Sequence, residues 1–466
     1  MDRRDLFRVP LALPWAQIPA SAPSHPASAS SAAPRLEADL LAEFARVRAI
    51  DTHEHILPEA ERVARPVDMF TLASHYALDD VTSAGLSDAD RTVIEDVAAD
   101  PRDKWRRFAP FWAAARETGY GRALRIALHD VYDVDTLDES SVLAANERIS
   151  AANRTGLYRD VLLRRANLRV CLNDEYWQPR PTAVDPACFA LVRKFDWFVA
   201  PVTRAGVGRL EPLAGHSITS VADLKRAMAA HVEAAMKLGL VAIKTTLAYQ
   251  RSLAFVEVSE ADAQRTFDRL MRDETPPGEG YRVTEARPYT PLADHLFHHL
   301  VQLAEAHGVP MQVHTGLHAG NGNFVTHSRP ADLTNLFFRY PRVTFDLFHV
   351  GYPYHHEAMV LAKTFRNVCL DFCWMHIVSP LLAQRTLDEA LDLIPSNKIF
   401  AFGGDYRYPE LSYAHLVMAR RNIATALAAR VGRGDLQPDA ALAIGRAVLH
   451  DNPARVFSRL PPDTRA

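Results

Sequence analysis

Cysteine is scarce in this chain of 466 residues: four are present, at 171, 188, 369 and 373, and no two stand at a zinc-finger or redox spacing. Zinc ribbons, disulfide-stapled scaffolds and thioredoxin-type centres are thereby excluded. Cys369 and Cys373 fall within one apolar run, where they would face the same way without meeting, so buried thiols are expected rather than a bridge. Excess charge is missing as well. A net charge of -3 and a pI near 6.7 create no field that would gather nucleic acid or an anionic membrane surface. No apolar run approaches the roughly 20 residues of a membrane span, and no internal repeat is visible. What is present is 48% hydrophobic residues, enough for a large core. The expected partner is a small molecule, with a second copy of the chain (a homo-oligomer) as the other candidate.

The N-terminus is set apart by composition. Met1-Asp2-Arg3-Arg4-Asp5-Leu6-Phe7-Arg8 resembles a twin-arginine export signal. A weakly apolar stretch follows, then a tract rich in Pro, Ala and Ser, with Ala27-Ser28-Ala29 as a small-x-small cleavage site. Residues 1–34 are therefore expected to be a signal or a disordered tail. The resemblance implies a periplasmic protein, with a cytoplasmic one as the alternative.

From residue 35 to 466 the chain alternates apolar runs with helical periodicity, the pattern of βα units around a parallel sheet. Eight strand candidates emerge: 47–53, 168–173, 196–202, 240–246, 310–314, 343–349, 368–374 and 399–404. Length alone would allow roughly three domains, but a single α/β barrel accommodates this many residues. The expected fold is an α/β, distorted (β/α)8 TIM-type barrel. One interval breaks the rhythm: residues 60–165 read as helices throughout, with Trp105, Phe108, Phe111 and Trp112 forming an apolar face. That is too long for a simple βα connection. It is expected to be a helical cap inserted after strand 1, on the side where barrel active sites lie.

The chemistry gathers at strand ends. His53 and His55, in Asp51-Thr52-His53-Glu54-His55, are two apart and project from the same face of a strand. Lys244, His314, His349 and Asp405 each stand at or just after the end of a later strand candidate, the fourth, fifth, sixth and eighth. A polar residue after an apolar run at a strand's C-terminal end is where a barrel places catalytic groups. Imidazole and carboxylate donors without thiolate suit zinc, manganese or iron.

His53-x-His55, Lys244, His314, His349 and Asp405, in that strand order, resemble the amidohydrolase superfamily of metal-dependent barrels. Gln312-Val313-His314-Thr315-Gly316 and Phe402-Gly403-Gly404-Asp405 are similar to its amidohydrolase-related branch, which includes decarboxylases. The long helical insertion resembles that of uronate isomerases. The resemblance implies one or two divalent ions, zinc before manganese or iron. His53, His55 and Asp405 would ligate the more buried ion. His314 and His349 would ligate a second ion, or His314 would join the first while His349 contacts substrate. Lys244 would bridge two ions if carbamylated, and otherwise bind a substrate carboxylate or serve the structure. Asp405 would be the catalytic base, His349 an oxyanion stabiliser and Lys244 a third catalytic group. The implied reaction is hydrolysis of an amide, lactone or ester of a small carboxylate-bearing substrate by metal-activated water. Decarboxylation or uronate-type isomerisation on the same site is the alternative. Arg251, in the loop after the fourth strand candidate, can make a bidentate clamp on a carboxylate. Tyr249, Arg407 and His318, the last in the Gly-rich loop after the fifth, complete the expected substrate contacts.

Overall fold

A computed structural model of the protein describes residues 29–174, 183–201, 203–272 and 290–463. Most of the expected export signal, residues 1–28, lies outside the described residues; helix Ala29–Arg46 begins within the remainder. Eight parallel strands form one sheet in sequential order: β1 (Ala49–Glu54), β2 (Leu168–Asp174), β3 (Phe189–Lys194), β4 (Ala242–Thr245), β5 (Met311–Val313), β6 (Phe345–Leu347), β7 (Val368–Asp371) and β8 (Ile399–Phe400). The sheet closes where the chain after β8 returns to β1. Thr52 N–H donates to Phe402 O (3.1 Å), Asp405 N–H to His53 O (2.8 Å) and His55 N–H to Tyr406 O (3.1 Å). With helices outside and side chains within, almost every strand residue is buried. Ile50, Val170, Leu172, Ala190, Val192 and Phe400 fill the lower barrel, plugged from below by Phe457.

Seven of the eight strand candidates overlap an observed strand; the third does not. The expected strand 196–202 is instead a short helix, Asp196–Val199, with residue 202 outside the described residues. The true β3 lies just before it. A short apolar run cannot by itself be told from a buried helical turn. Here the Asp196 carboxylate decides, accepting from Thr246 N–H (2.8 Å) and Thr246 Oγ1 (3.0 Å) at the end of β4. The helix boundaries follow their caps more closely. Ser220 accepts from Asp223 N–H at the start of helix Val221–Lys237, and Asp100 with Pro101 opens helix Pro101–Ala115.

Between β1 and β2, seven α-helices and a π-helix (Arg159–Arg165) form a unit with its own core. Phe70, Trp105, Phe108, Trp112, Leu124 and Ile149 are buried within it, and Phe111 packs half-buried at its margin. That core runs on into Trp374, Tyr406, Tyr408 and Leu411, so the helical unit and the barrel mouth share one apolar contact. A buried charge cluster pins the same junction. Arg62, from helix Glu59–Val63, meets Glu410 of helix Pro409–Arg433 at 2.5 Å, both side chains fully buried. Tyr132 donates its hydroxyl to the same carboxylate. Removing one member strands a buried charge, a loss of about 3–5 kcal/mol. We therefore expect Glu410→Ala to destabilise the protein by about that amount in denaturant unfolding. A loss below about 1 kcal/mol would show that this cluster does not anchor the helical unit.

Candidate metal centre

The site starts from backbone geometry. His53 on β1 and His55 just past its end both line the mouth cavity, on the face opposite that of Thr52 and Glu54. Asp405 adopts a left-handed backbone (φ 58°), held by its N–H bond to His53 O. The two glycines before it make the approach possible. A Cβ on Gly403 would collide with Cys373 and press on Thr52 and His53, and one on Gly404 would strike the Glu54 carboxylate. Asp405 Oδ1 consequently sits 3.2 Å from His53 Nε2 and 3.5 Å from His55 Nε2. One ligand atom from each of the three residues lies within 4.8 Å of the others.

His314 and His349 add a second pair of donors. His349 Nδ1 faces Cys373 O (3.0 Å) and His314 Nε2 faces Leu317 O (2.8 Å). A carbonyl only accepts, so those nitrogens carry the hydrogens. The lone pairs of His349 Nε2 and His314 Nδ1 then point at each other across 3.1 Å, with Asp405 Oδ2 at 3.8 Å from His349. Facing lone pairs beside a carboxylate call for a cation between them. Protonation is opposed by burial, which pushes His349 down to about 3 and His314 and His55 well below the ordinary imidazole range. Neutral imidazole is the metal-binding form. Burial works to raise Asp405, but its contacts with His53, then His55 and His349, hold it well below the usual carboxylate range. The donor set therefore fits a divalent ion.

Lys244 is fully buried against this set, its Nζ 3.1 Å from His55 Nε2 and 3.2 Å from His53 Nδ1. It is also 3.2 Å from Asp174 Oδ2, and Lys194 Nζ approaches the same oxygen at 3.4 Å. Burial lowers Lys194 to about 8. His53, His55, Lys244, His314 and Asp405 line a cavity of about 380 Å³, and His349 lies just behind it, fully buried.

The expected substrate contacts divide. Tyr249 lines the cavity and its hydroxyl accepts from Ala319 N–H at 2.9 Å. His318 packs at a tilt against Tyr249 (4.4 Å between centroids) and lies near-parallel to His314 (5.3 Å), supporting the wall rather than forming it. Arg407 is half-buried outside the lining, on the side of His75 and Tyr408. Arg251 requires correction as a carboxylate clamp. Its guanidinium is paired with buried Asp294 at 2.5 Å, donates to Ser252 O and Ala254 O, and lies over the Phe255 ring. Those bonds use the fork that an anion would need.

Four residues went unseen in the sequence: Asp174, Lys194, His75 and Tyr76. Asp174 is one residue beyond the expected end of strand 2, and Lys194 closes a β3 that was misplaced. His75 and Tyr76 come from the helical unit and line the cavity. Tyr76 (φ 80°) stacks between His75 (4.0 Å) and Trp374 (4.8 Å) and lines the same cavity as Asp405. No periodicity marks such residues. Tyr76, His349, Val350, Trp374 and Asp405 all hold positive φ at this mouth, a concentration of backbone strain typical of a working site.

A parallel barrel whose C-terminal mouth gathers a His-x-His pair, further imidazoles and an aspartate after β8 is a metal-dependent barrel enzyme. The amidohydrolase family model matches residues 176–459, more than half of the chain, and the protein belongs to that family. The family is metal-dependent. The uronate isomerase of Xanthomonas campestris pv. campestris is 25% identical over 326 residues, 65% of this chain and 64% of its own length. Protein fluG of Emericella nidulans is 27% identical over 224 residues, 47% of this chain and 25% of its own. The chain thus matches less than two thirds of either relative. The glucuronate isomerase from Caulobacter crescentus has a similar structure, with a TM-score of 0.76 at 18% identity, over 94% of this chain and 98% of that one.

Elemental analysis of protein purified without chelator should find about one or two divalent ions per chain, with His53→Ala and Asp405→Asn each removing at least one. Unaltered metal content in both variants would dismiss the triad. A second expectation concerns the carboxyls below the site. Burial pushes Asp346 up to about 8, against the opposing hydrogen bond from Gln312. The folded state holds this proton more tightly than the unfolded chain. Its contribution is therefore complete below about pH 4 and declines, by at most about 1.4 kcal/mol per pH unit, as pH rises toward 8. Asp346→Asn should flatten the stability profile between pH 6 and 8 in unfolding titrations; an unchanged slope would mean that Asp346 is ionised in the fold.

Proposed function

We propose that this enzyme isomerises a small sugar acid, moving a proton between the two carbons of an aldose–ketose pair. The observation that carries this reading is that a phenol and an ionised carboxylate, Tyr76 and Asp405, line one cavity together with the histidines. Asp405, kept ionised by its histidine neighbours, takes the proton from the hydroxyl-bearing carbon beside the carbonyl and returns it to the carbonyl carbon. Burial raises Tyr76 well above its ordinary range, so it stays a hydroxyl and can donate to the enediol oxygens. A divalent ion held by His53, His55 and Asp405 would polarise the substrate oxygens. Gln250, Asn321 and Asn323 also line the cavity and suit a polyhydroxylated chain. The name of the Xanthomonas relative supports the same reading.

Hydrolysis of an amide, lactone or ester is the second reading. It is favoured by the presence of Lys244, His314 and His349 together, more donors than one ion needs. Metal-reconstituted protein incubated with D-glucuronate or D-galacturonate in deuterium oxide, followed by proton NMR, separates the two. Isomerisation predicts ketose formation, with Tyr76→Phe and Asp405→Asn each losing roughly 10²–10⁴-fold in rate. Inert uronates combined with turnover of lactone or ester substrates would replace this proposal with hydrolysis.

A further inference from the structure

The end of the barrel opposite the metal centre carries a basic cavity that the chemistry at the mouth does not use. Thr344 leads into β6 and Lys398 into β8. With Cys369 of β7 they line a cavity of about 450 Å³ at the N-terminal ends of these strands. Four cations from separate stretches of chain surround it. Lys363 is in the last turn of helix His355–Thr364, and Arg366 follows that helix. Lys398 ends the turn Ser396–Lys398, and Arg455 is in the last turn of helix Asn452–Val456. Among the described residues no carboxylate lines the cavity, and none pairs with any of the four. Other surface arginines do have such partners: Arg329 has Glu357, Arg339 has Glu257 and Arg446 has Asp451. Asp346, the register partner of Cys369, is the carboxyl that burial keeps protonated. Lys398 has a local use, since its Nζ donates to Ala362 O and Phe365 O and so caps the helix end. Arg455 is steered by one bond, from Nη2 to Asn397 O (2.6 Å). Lys363 and Arg366, both exposed, have no such use among the described residues. Like charges gathered on one concave wall repel each other and focus their field into it, and an anion relieves that repulsion.

We propose that this cavity binds a small phosphate-bearing anion, away from the catalytic mouth. Two guanidinium forks can each meet two oxygens, and two flexible ammonium groups can reach the others. The Thr344 hydroxyl and the Asn397 amide add neutral donors. A concavity of this volume suits a free ligand rather than a flat membrane contact. The anion ties the starts of β6 and β8 to the C-terminal helix, so its effect is on the stability of the barrel. A ligand that binds only the folded chain raises its melting temperature.

The test is calorimetric titration of the metal-loaded protein with inorganic phosphate, with succinate as a carboxylate dianion for comparison. Lys363→Ala and Arg366→Ala should each weaken phosphate by about 10-fold, and Lys363→Glu combined with Arg366→Glu should abolish its binding. Phosphate should raise the melting temperature of the wild type but not of the double variant, and added sodium chloride should weaken the effect. Both side chains are exposed, so without phosphate the double variant should melt with the wild type. Equal phosphate affinity in wild type and double variant would place the anion at the metal centre and overturn the proposal. Absence of saturable binding at low-millimolar phosphate would overturn it as well. Succinate bound as tightly as phosphate, and lost in the same variants, would overturn the assignment to phosphate. Binding to phosphatidylglycerol vesicles without binding of free phosphate would replace the site with a membrane contact.

Discussion

Everything at the mouth of this barrel depends on how closely the chain after β8 can lie against β1. The two segments exchange backbone hydrogen bonds at Thr52, His53, His55, Asp405 and Tyr406, and these bonds close the sheet and aim Asp405 at the histidines in one operation. Gly403 and Gly404 leave no side chain between the segments, where any Cβ would strike Cys373, Thr52 or Glu54. The left-handed conformation of Asp405 is tolerated because its N–H bond to His53 O compensates. Closure and metal-ligand geometry are thus the same structural fact.

The second organising constraint is the burial of charge. Asp405, Asp174, Lys244 and Lys194 are all nearly withdrawn from water, and each is kept by a partner of opposite charge or by lone pairs awaiting a cation. The same economy joins the helical unit to the barrel through Arg62, Glu410 and Tyr132. Next to that junction the aromatic column of His75, Tyr76 and Trp374 brings a phenol from the helical unit to the cavity that Asp405 lines. The helical unit thus lines part of the mouth with His75 and Tyr76, and its attachment through Arg62 and Glu410 is buried.

Much of this was legible before folding. Seven strands overlap their expected positions because β-branched and apolar runs bounded by helix caps are local signals. His53, His55, Lys244, His314, His349 and Asp405 come together at one mouth, and a polar residue after such a run is itself a local pattern. The third strand was missed because Asp196–Val199 and Phe189–Lys194 are both short apolar runs, and a hydrogen bond to Thr246 on another strand chooses between them. That one displacement hid Lys194. Arg251 was misjudged for a related reason: its spacing after β4 is local, but its partner Asp294 lies on helix Thr290–His307, the second helix beyond it.

By itself the sequence determined the fold class, the order of the strands and the kinds of donor atom at their ends, since each is written in periodicity and in residue chemistry. Only the tertiary structure decided which side chains meet. It turned the lone pairs of His314 and His349 toward one another, set one aspartate between two lysines, and brought Tyr76 from the helical unit into the cavity that Asp405 lines. Those meetings join residues tens to hundreds of positions apart, and they are fixed by barrel closure and buried charge, which no local stretch of chain encodes.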